Sequence, residues 1–178
     1  DYRFDAHKTA EDDTDKGGAL TIAHSQPDEM STAATPLLAV AEGAHMTRNL
    51  VNEPANVLTT TEFADRLVEM KALGLEVEVL EEGDLEKLGM RTLLSVGQGS
   101  DSPSYVVTIR WDGGTAGAAP LALVGKGVVF DTGGISLKPG ANMGDMTMDM
   151  GGAGVVAGVM QALAARKARA NVVGLVGL

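Results

Sequence analysis

The chain has 178 residues, of which 44% are hydrophobic, 21% charged and only 3% aromatic. This length and composition are typical of a single globular domain. A domain of this size buries about 70% of the surface of its unfolded chain. The net charge of −10 disfavours nucleic acid and anionic membrane surfaces as partners. Because there is no cysteine, disulfide scaffolds, thiolate metal sites and thiol nucleophiles are excluded. We therefore expect a soluble cytoplasmic protein.

The first 35 residues differ in composition from the rest of the chain. They carry eight acidic and three basic side chains and show almost no apolar periodicity, which predicts a linker or exposed arm. Residues 36–178 are predicted to form the folded domain. The chain opens on an aspartate and stops within an apolar run, and we expect it to be a fragment of a longer protein.

Helical and strand patterns alternate along the predicted domain. Apolar residues at helical spacing predict a helix over residues 37–51, and a threonine cap and a closing glycine bound a second over 59–73. A strand (75–80) and a short helix (84–88) follow. The remaining expected elements are strands at 105–111, 121–124, 128–130 and 172–178 and a helix at 151–166. This alternation predicts an α/β fold, a mixed but largely parallel sheet flanked by helices.

Four charged side chains lie in a glycine-rich segment that has few other charges: Lys126, Asp131, Lys138 and Asp149. Lys126 and Asp131 each follow a predicted strand, and ligands gather at the carboxyl ends of strands in α/β sheets. Carboxylates are suited to Mg²⁺, Mn²⁺ or Zn²⁺, and a neutral lysine amine can join them. A second, protonated lysine can stabilise a developing oxyanion. The residue types fit two Lys–Asp ion pairs equally well.

Short motifs in this segment resemble the metal-site motifs of the leucyl aminopeptidase family, which are di-metal exopeptidases of the cytosol. The resemblance extends to the beginning of the chain, and so it follows the sequence in order. The motifs are Val124-Gly125-Lys126-Gly127, Phe130-Asp131-Thr132-Gly133-Gly134, Ser136-Leu137-Lys138-Pro139 and residues 146–152, together with Tyr2-Arg3-Phe4-Asp5 and residues 48–54.

The resemblance implies roles for five residues. Lys126, Asp131 and Asp149 would be metal ligands, with Asp131 bridging two divalent cations, Mn²⁺ or Zn²⁺. Lys138 would be the catalytic lysine that polarises the scissile carbonyl, and Met146 would line the pocket for the N-terminal side chain of the substrate. The implied activity is release of N-terminal residues, preferably leucine, from peptides. The family commonly forms hexamers, so a homo-oligomer is expected.

One departure from the family pattern limits these expectations. The family has a further motif, Asn-Thr-Asp-Ala-Glu-Gly-Arg, which supplies the remaining metal ligands and a catalytic arginine, and the 178 residues do not contain it. We therefore expect this chain by itself to bind metal poorly and to be inactive. The alternative is a non-catalytic binding or assembly module of the same fold. The three histidines, His7, His24 and His45, are expected to be packed or solvent-facing rather than metal ligands.

Overall fold

The computed structural model describes residues 2–9 and 18–178. In these ranges five α-helices and four β-strands form one α/β unit. The helices are α1 (Pro27–Asn52), α2 (Thr60–Glu69), α3 (Glu82–Lys87), α4 (Arg91–Gly97) and α5 (Gly151–Ala165). The strands are β1 (Glu76–Leu80), β2 (Val106–Asp112), β3 (Leu121–Lys126) and β4 (Asn171–Gly177), and 3₁₀ turns span Met70–Leu73 and Met143–Met150.

The four strands form one mixed sheet in the order β1-β2-β4-β3. Strand β2 runs antiparallel to both β1 and β4, and only β3 and β4 are parallel. The predicted α/β class is confirmed, but the expectation of a largely parallel sheet is wrong for these strands. The physical reason lies in the connections: only the β3–α5–β4 connection contains a long helix that returns the chain to the same end of the sheet.

Most predicted elements are present with small shifts at their ends. The Thr59 side chain accepts a hydrogen bond from the Glu62 amide and so caps α2, and Gly74 closes the following 3₁₀ turn with φ of 86°. The prediction of a strand at residues 128–130 is wrong. That segment is irregular, and Phe130 is 37% exposed, because the chain leaves the sheet after Lys126.

Helix α1 begins earlier than the sequence pattern indicates. Pro27 lies in its first turn, where backbone N–H groups have no acceptor within the helix, so the missing N–H of proline removes no hydrogen bond. The helix continues through Pro36. The residues before Pro36 are nearly all exposed, which explains why they lack apolar periodicity. The division of the chain at residue 35 stays a prediction, since α1 crosses it.

The core lies between α5, α1 and the sheet. The two helices approach so closely that a Cβ built on either Gly43 or Gly158 would overlap the other glycine's carbonyl oxygen. Thr47 strengthens this contact, since its hydroxyl donates to the carbonyl oxygen of Gly154 at 2.9 Å. The run Met143–Ala165 is apolar enough, by length and composition alone, to cross a membrane. Half of an apolar 18-residue window within that run is buried inside the molecule, as expected for a core helix.

Candidate metal and catalytic cluster

The end of β3 and the beginning of α5 bring the first ion pair together. Lys126 is the last residue of β3, and Asp149 lies in the 3₁₀ turn that leads directly into α5. The neighbouring Gly125 allows a close approach, because a Cβ there would lie 2.6 Å from the Gly152 carbonyl oxygen and 2.7 Å from the Ala153 nitrogen. Lys126 Nζ consequently donates to Asp149 Oδ2 at 2.6 Å.

A tight loop places Asp131 against Lys138. The Gly133 amide donates to Asp131 Oδ1 at 2.8 Å, and Lys138 Nζ donates to Oδ2 at 2.8 Å. Gly133 has a φ of 92°, which disfavours any residue with a Cβ, and a Cβ there would also lie 3.0 Å from the Lys138 nitrogen. The Lys138 amide donates to the Thr132 carbonyl at 2.9 Å. The loop after Asp131 thus folds back on itself.

The two ion pairs belong to one cluster. The pKa of the Asp131 carboxyl is lowered, first by the hydrogen bond from Lys138 and next by that from the Gly133 amide. The 3₁₀ turn Met143–Met150 links the two pairs, because it carries Asp149 and also Met146, whose Sδ lies 3.0 Å from Lys138 Nζ. The side chains are partly open to solvent: Asp149 is 25% exposed and Asp131 is 32% exposed.

Met146 completes the cluster. It lies on the same 3₁₀ turn as Asp149, and Lys138 Nζ approaches its Sδ at 3.0 Å. The structure therefore brings together all five residues that the sequence singles out. It contains both Lys–Asp ion pairs that were the alternative interpretation.

The donor set fits the beginning of a metal centre. Two carboxylates offer four hard oxygen atoms, and Lys126 Nζ already contacts one of them. Within residues 2–9 and 18–178, no group of three or more His, Cys, Asp or Glu side chains could hold an ion. Among the described residues, the cluster therefore offers two carboxylates and two lysine amines as possible donors.

Two features of ionic chemistry are missed by the sequence analysis. One is the Gly133 amide, which holds Asp131 and depends on a loop conformation that only the structure reveals. The other is a buried carboxylate, Glu53, which pairs with Arg66 at 3.1 Å and with His7 at 2.8 Å. The His7 side chain is 45% exposed, and its imidazole hydrogen-bonds to Glu53. No local pattern links it to Glu53, because 46 positions separate the two residues.

Fold and cluster together define a class of α/β protein with lysines and aspartates gathered between a strand end and a glycine-rich helix. A probable cytosol aminopeptidase from Dinoroseobacter shibae is 67% identical over 177 residues, covering 99% of this chain and 36% of the relative. A probable cytosol aminopeptidase from Cereibacter sphaeroides is 63% identical with the same coverage. The solved structure of the bottromycin maturation enzyme BotP in complex with Mn shares 35% identity and a TM-score of 0.82, covering 99% of this chain and 36% of BotP.

Residues 45–178 match the catalytic domain of the cytosol aminopeptidase family. The chain belongs to this family. It spans about 36% of the length of the curated relatives that it matches.

Proposed function

We propose that this chain supplies the lysine–aspartate part of the active site of a metal-dependent aminopeptidase, which releases N-terminal residues, preferably leucine, from peptides. The observation that carries the proposal is that the Lys126–Asp149 and Lys138–Asp131 pairs are linked by the 3₁₀ turn that bears Met146 and Asp149. Membership of the cytosol aminopeptidase family supports the reaction class.

Lys126, Asp131 and Asp149 would hold the metal, with Asp131 shared between two divalent cations, Mn²⁺ or Zn²⁺. The oxygen-rich donor set supports a hard or borderline dication, and the BotP structure contains Mn. When bound, such a cation supplies Lewis acidity and lowers the pKa of water. The further ligands would come from the family's Asp-Ala-Glu-Gly-Arg motif, which these 178 residues do not contain.

Lys138 and Met146 would act on the peptide. Asp131 holds Lys138 Nζ at 2.8 Å, so the lysine would stabilise negative charge that develops on a carbonyl oxygen near this carboxylate. The Met146 side chain beside it offers an apolar, adaptable wall, which suits the leucine side chain of a substrate. We extend the proposal to a cytoplasmic location and to a homo-oligomer, a hexamer as in the family.

The test is the Lys138→Ala variant of the protein expressed from its complete gene. We expect kcat for leucine p-nitroanilide to fall about 100- to 1,000-fold, as on removal of an oxyanion donor, while bound metal measured by plasma mass spectrometry stays unchanged. Lys87→Ala is the matched control, because Lys87 forms an exposed Lys–Asp pair with Asp84 at 3.0 Å.

Two outcomes would contradict the proposal. Near-normal turnover of Lys138→Ala would remove this lysine from the chemistry. If the unmodified protein binds two Mn²⁺ or Zn²⁺ ions but never releases leucine, the chain belongs to a binding or assembly module instead.

A further inference from the structure

The main chain of Lys126 lies directly against the first turn of α5. The contact is made by Gly152, the second residue of that helix. A Cβ built on Gly152 would lie 3.1 Å from the Lys126 nitrogen and 3.4 Å from the Lys126 carbonyl oxygen. Both distances are shorter than the optimum of roughly 3.5–4.0 Å for non-bonded atoms. The end of β3 and the beginning of α5 therefore meet without a side chain between them.

The end of β4 confines Lys126 from a second side. Lys126 is the parallel partner of Gly177 in the sheet. A Cβ on the next residue, Gly127, would lie 2.6 Å from the Gly177 carbonyl oxygen and 3.2 Å from the Ala153 Cβ. The backbone of Lys126 is thus held between α5 and β4, whereas its side chain is 58% exposed and extends to Asp149.

The partners of the two lysines are fixed to the same part of α5. Met150, which follows Asp149 and precedes the helix, is completely buried and anchors the 3₁₀ turn in the core. On this turn Asp149 accepts from Lys126 at 2.6 Å, and Met146 contacts Lys138 at 3.0 Å. A displacement of the first turn of α5 away from β3 would consequently change both contacts together.

On the basis of the metal-dependent function proposed above, we propose that Gly152 is a positioning residue of the candidate metal site. The absence of a Cβ at Gly152 sets the spacing between Lys126 and Asp149, which are two of the donors offered to a cation. Distances between a metal ion and its protein ligands are restricted to about ±0.2 Å, so a small displacement of one donor weakens binding.

Gly152→Ala, in the protein expressed from its complete gene, tests this role. We expect the apparent Kd for Mn²⁺, measured in competition with a chelator, to rise about tenfold, as when residues that orient metal ligands are changed. The midpoint of thermal unfolding of the metal-free protein should not fall, because alanine is favoured over glycine within a helix. A glycine with a merely structural role would instead lower the unfolding midpoint and leave the Kd unchanged.

Gly151→Ala is the matched control. Gly151 lies in the same helical turn and closer in sequence to Asp149, but the nearest atom to a Cβ there is Val51 Cγ2 at 3.9 Å. This variant should bind Mn²⁺ with the wild-type Kd. It therefore separates the contact with Lys126 from any general effect of alanine at the beginning of α5.

A second measurement needs no metal. In crystal structures of the metal-free proteins, we expect Gly152→Ala to move the first turn of α5 away from the Lys126 nitrogen by about 0.4 Å, which relieves the 3.1 Å contact. The Lys126–Asp149 ion pair should lengthen with it. Gly151→Ala should show the wild-type spacing.

The proposal is overturned if Gly152→Ala binds Mn²⁺ as tightly as the wild type, if Gly151→Ala weakens binding to the same extent, or if Gly152→Ala does not fold. Failure of the proposed function gives a different result, since the wild-type protein would then bind no Mn²⁺ or release no leucine. In that case the metal-free structures still decide whether Gly152 sets the position of Asp149.

Discussion

Two ionic clusters of similar composition lie in different settings in this molecule. The Glu53 cluster joins Glu53 to Arg66 and His7 and is buried, with 8% of the Glu53 side chain exposed. The cluster around Asp131 is open to solvent, with 32% of that side chain exposed. Both hold a carboxylate with two hydrogen-bond donors, but the carboxylate of the open cluster is much more exposed to solvent.

The donors differ as much as the burial. Arg66 has a planar guanidinium that binds Glu53 and Glu62 together, and it stays charged at any ordinary pH. Asp131 is held by a lysine and by one backbone amide in a glycine loop, and both contacts can be exchanged without opening a core. A buried carboxylate fixed by arginine therefore serves packing, whereas a half-exposed carboxylate held by lysine and glycine suits exchange with a metal ion.

Removing Arg66 is expected to break the buried cluster with the largest effect on stability. Arg66→Ala leaves the Glu53 carboxylate buried with only His7 beside it, and we expect a loss of about 2 kcal/mol in the free energy of unfolding, measured by urea denaturation. Arg110→Ala is the matched control, because the Arg110–Asp112 pair is exposed and should contribute nothing measurable. Equal losses in both variants would show that burial does not make the Arg66–Glu53 pair more stabilising than an exposed ion pair.

Changing the glycine loop is expected to have a smaller effect, confined to the open cluster. Gly133→Ala forces a Cβ into a left-handed backbone conformation, which costs about 1–2 kcal/mol and shifts the amide that binds Asp131. In the protein from the complete gene, we expect a weaker metal affinity in competition with a chelator. Gly140→Ala, where a Cβ would meet no neighbouring atom, should leave the affinity unchanged. Unchanged affinity in Gly133→Ala would mean that the loop does not position Asp131 for a metal.

Acid pH is expected to have the smallest effect, and this effect concerns the buried cluster. The folded-state pKa of Glu53 lies below its ordinary value of 4.5, so its contribution to stability is present above that pH and is lost as the pH falls through the folded-state pKa. Thermal unfolding curves should therefore show a shallower loss of stability below about pH 4.5 in Glu53→Gln than in the wild type. A slope that is the same in both proteins would contradict the role of the ionised Glu53.

The open cluster could be predicted from the sequence because its parts are short motifs with restricted chemistry. Lys138 and Asp131 are seven positions apart on a glycine loop, and the loop itself brings them together. Lys126 and Asp149 are 23 positions apart, yet the strand before one and the helix after the other are both strongly patterned. The family resemblance added the roles of these residues, which remain proposals.

The buried cluster could not be predicted in the same way. Glu53 lies just beyond the helix predicted over residues 37–51, and His7 lies in an acidic segment with no periodic pattern. Their contact depends on how the N-terminal segment returns to α1, which no local propensity encodes. The expectation of a largely parallel sheet is wrong for a similar reason, since strand direction depends on how the connections return the chain to the sheet.

The sequence by itself determined the local elements and the chemical character of the candidate site. Capping residues and apolar spacing act within a few residues, so α2 and α5 follow from them directly. Only the tertiary structure decided the strand directions, the close packing of α1 on α5 and the burial of Glu53. These features depend on contacts between segments far apart in the chain, whose free energy arises only when the whole core is assembled.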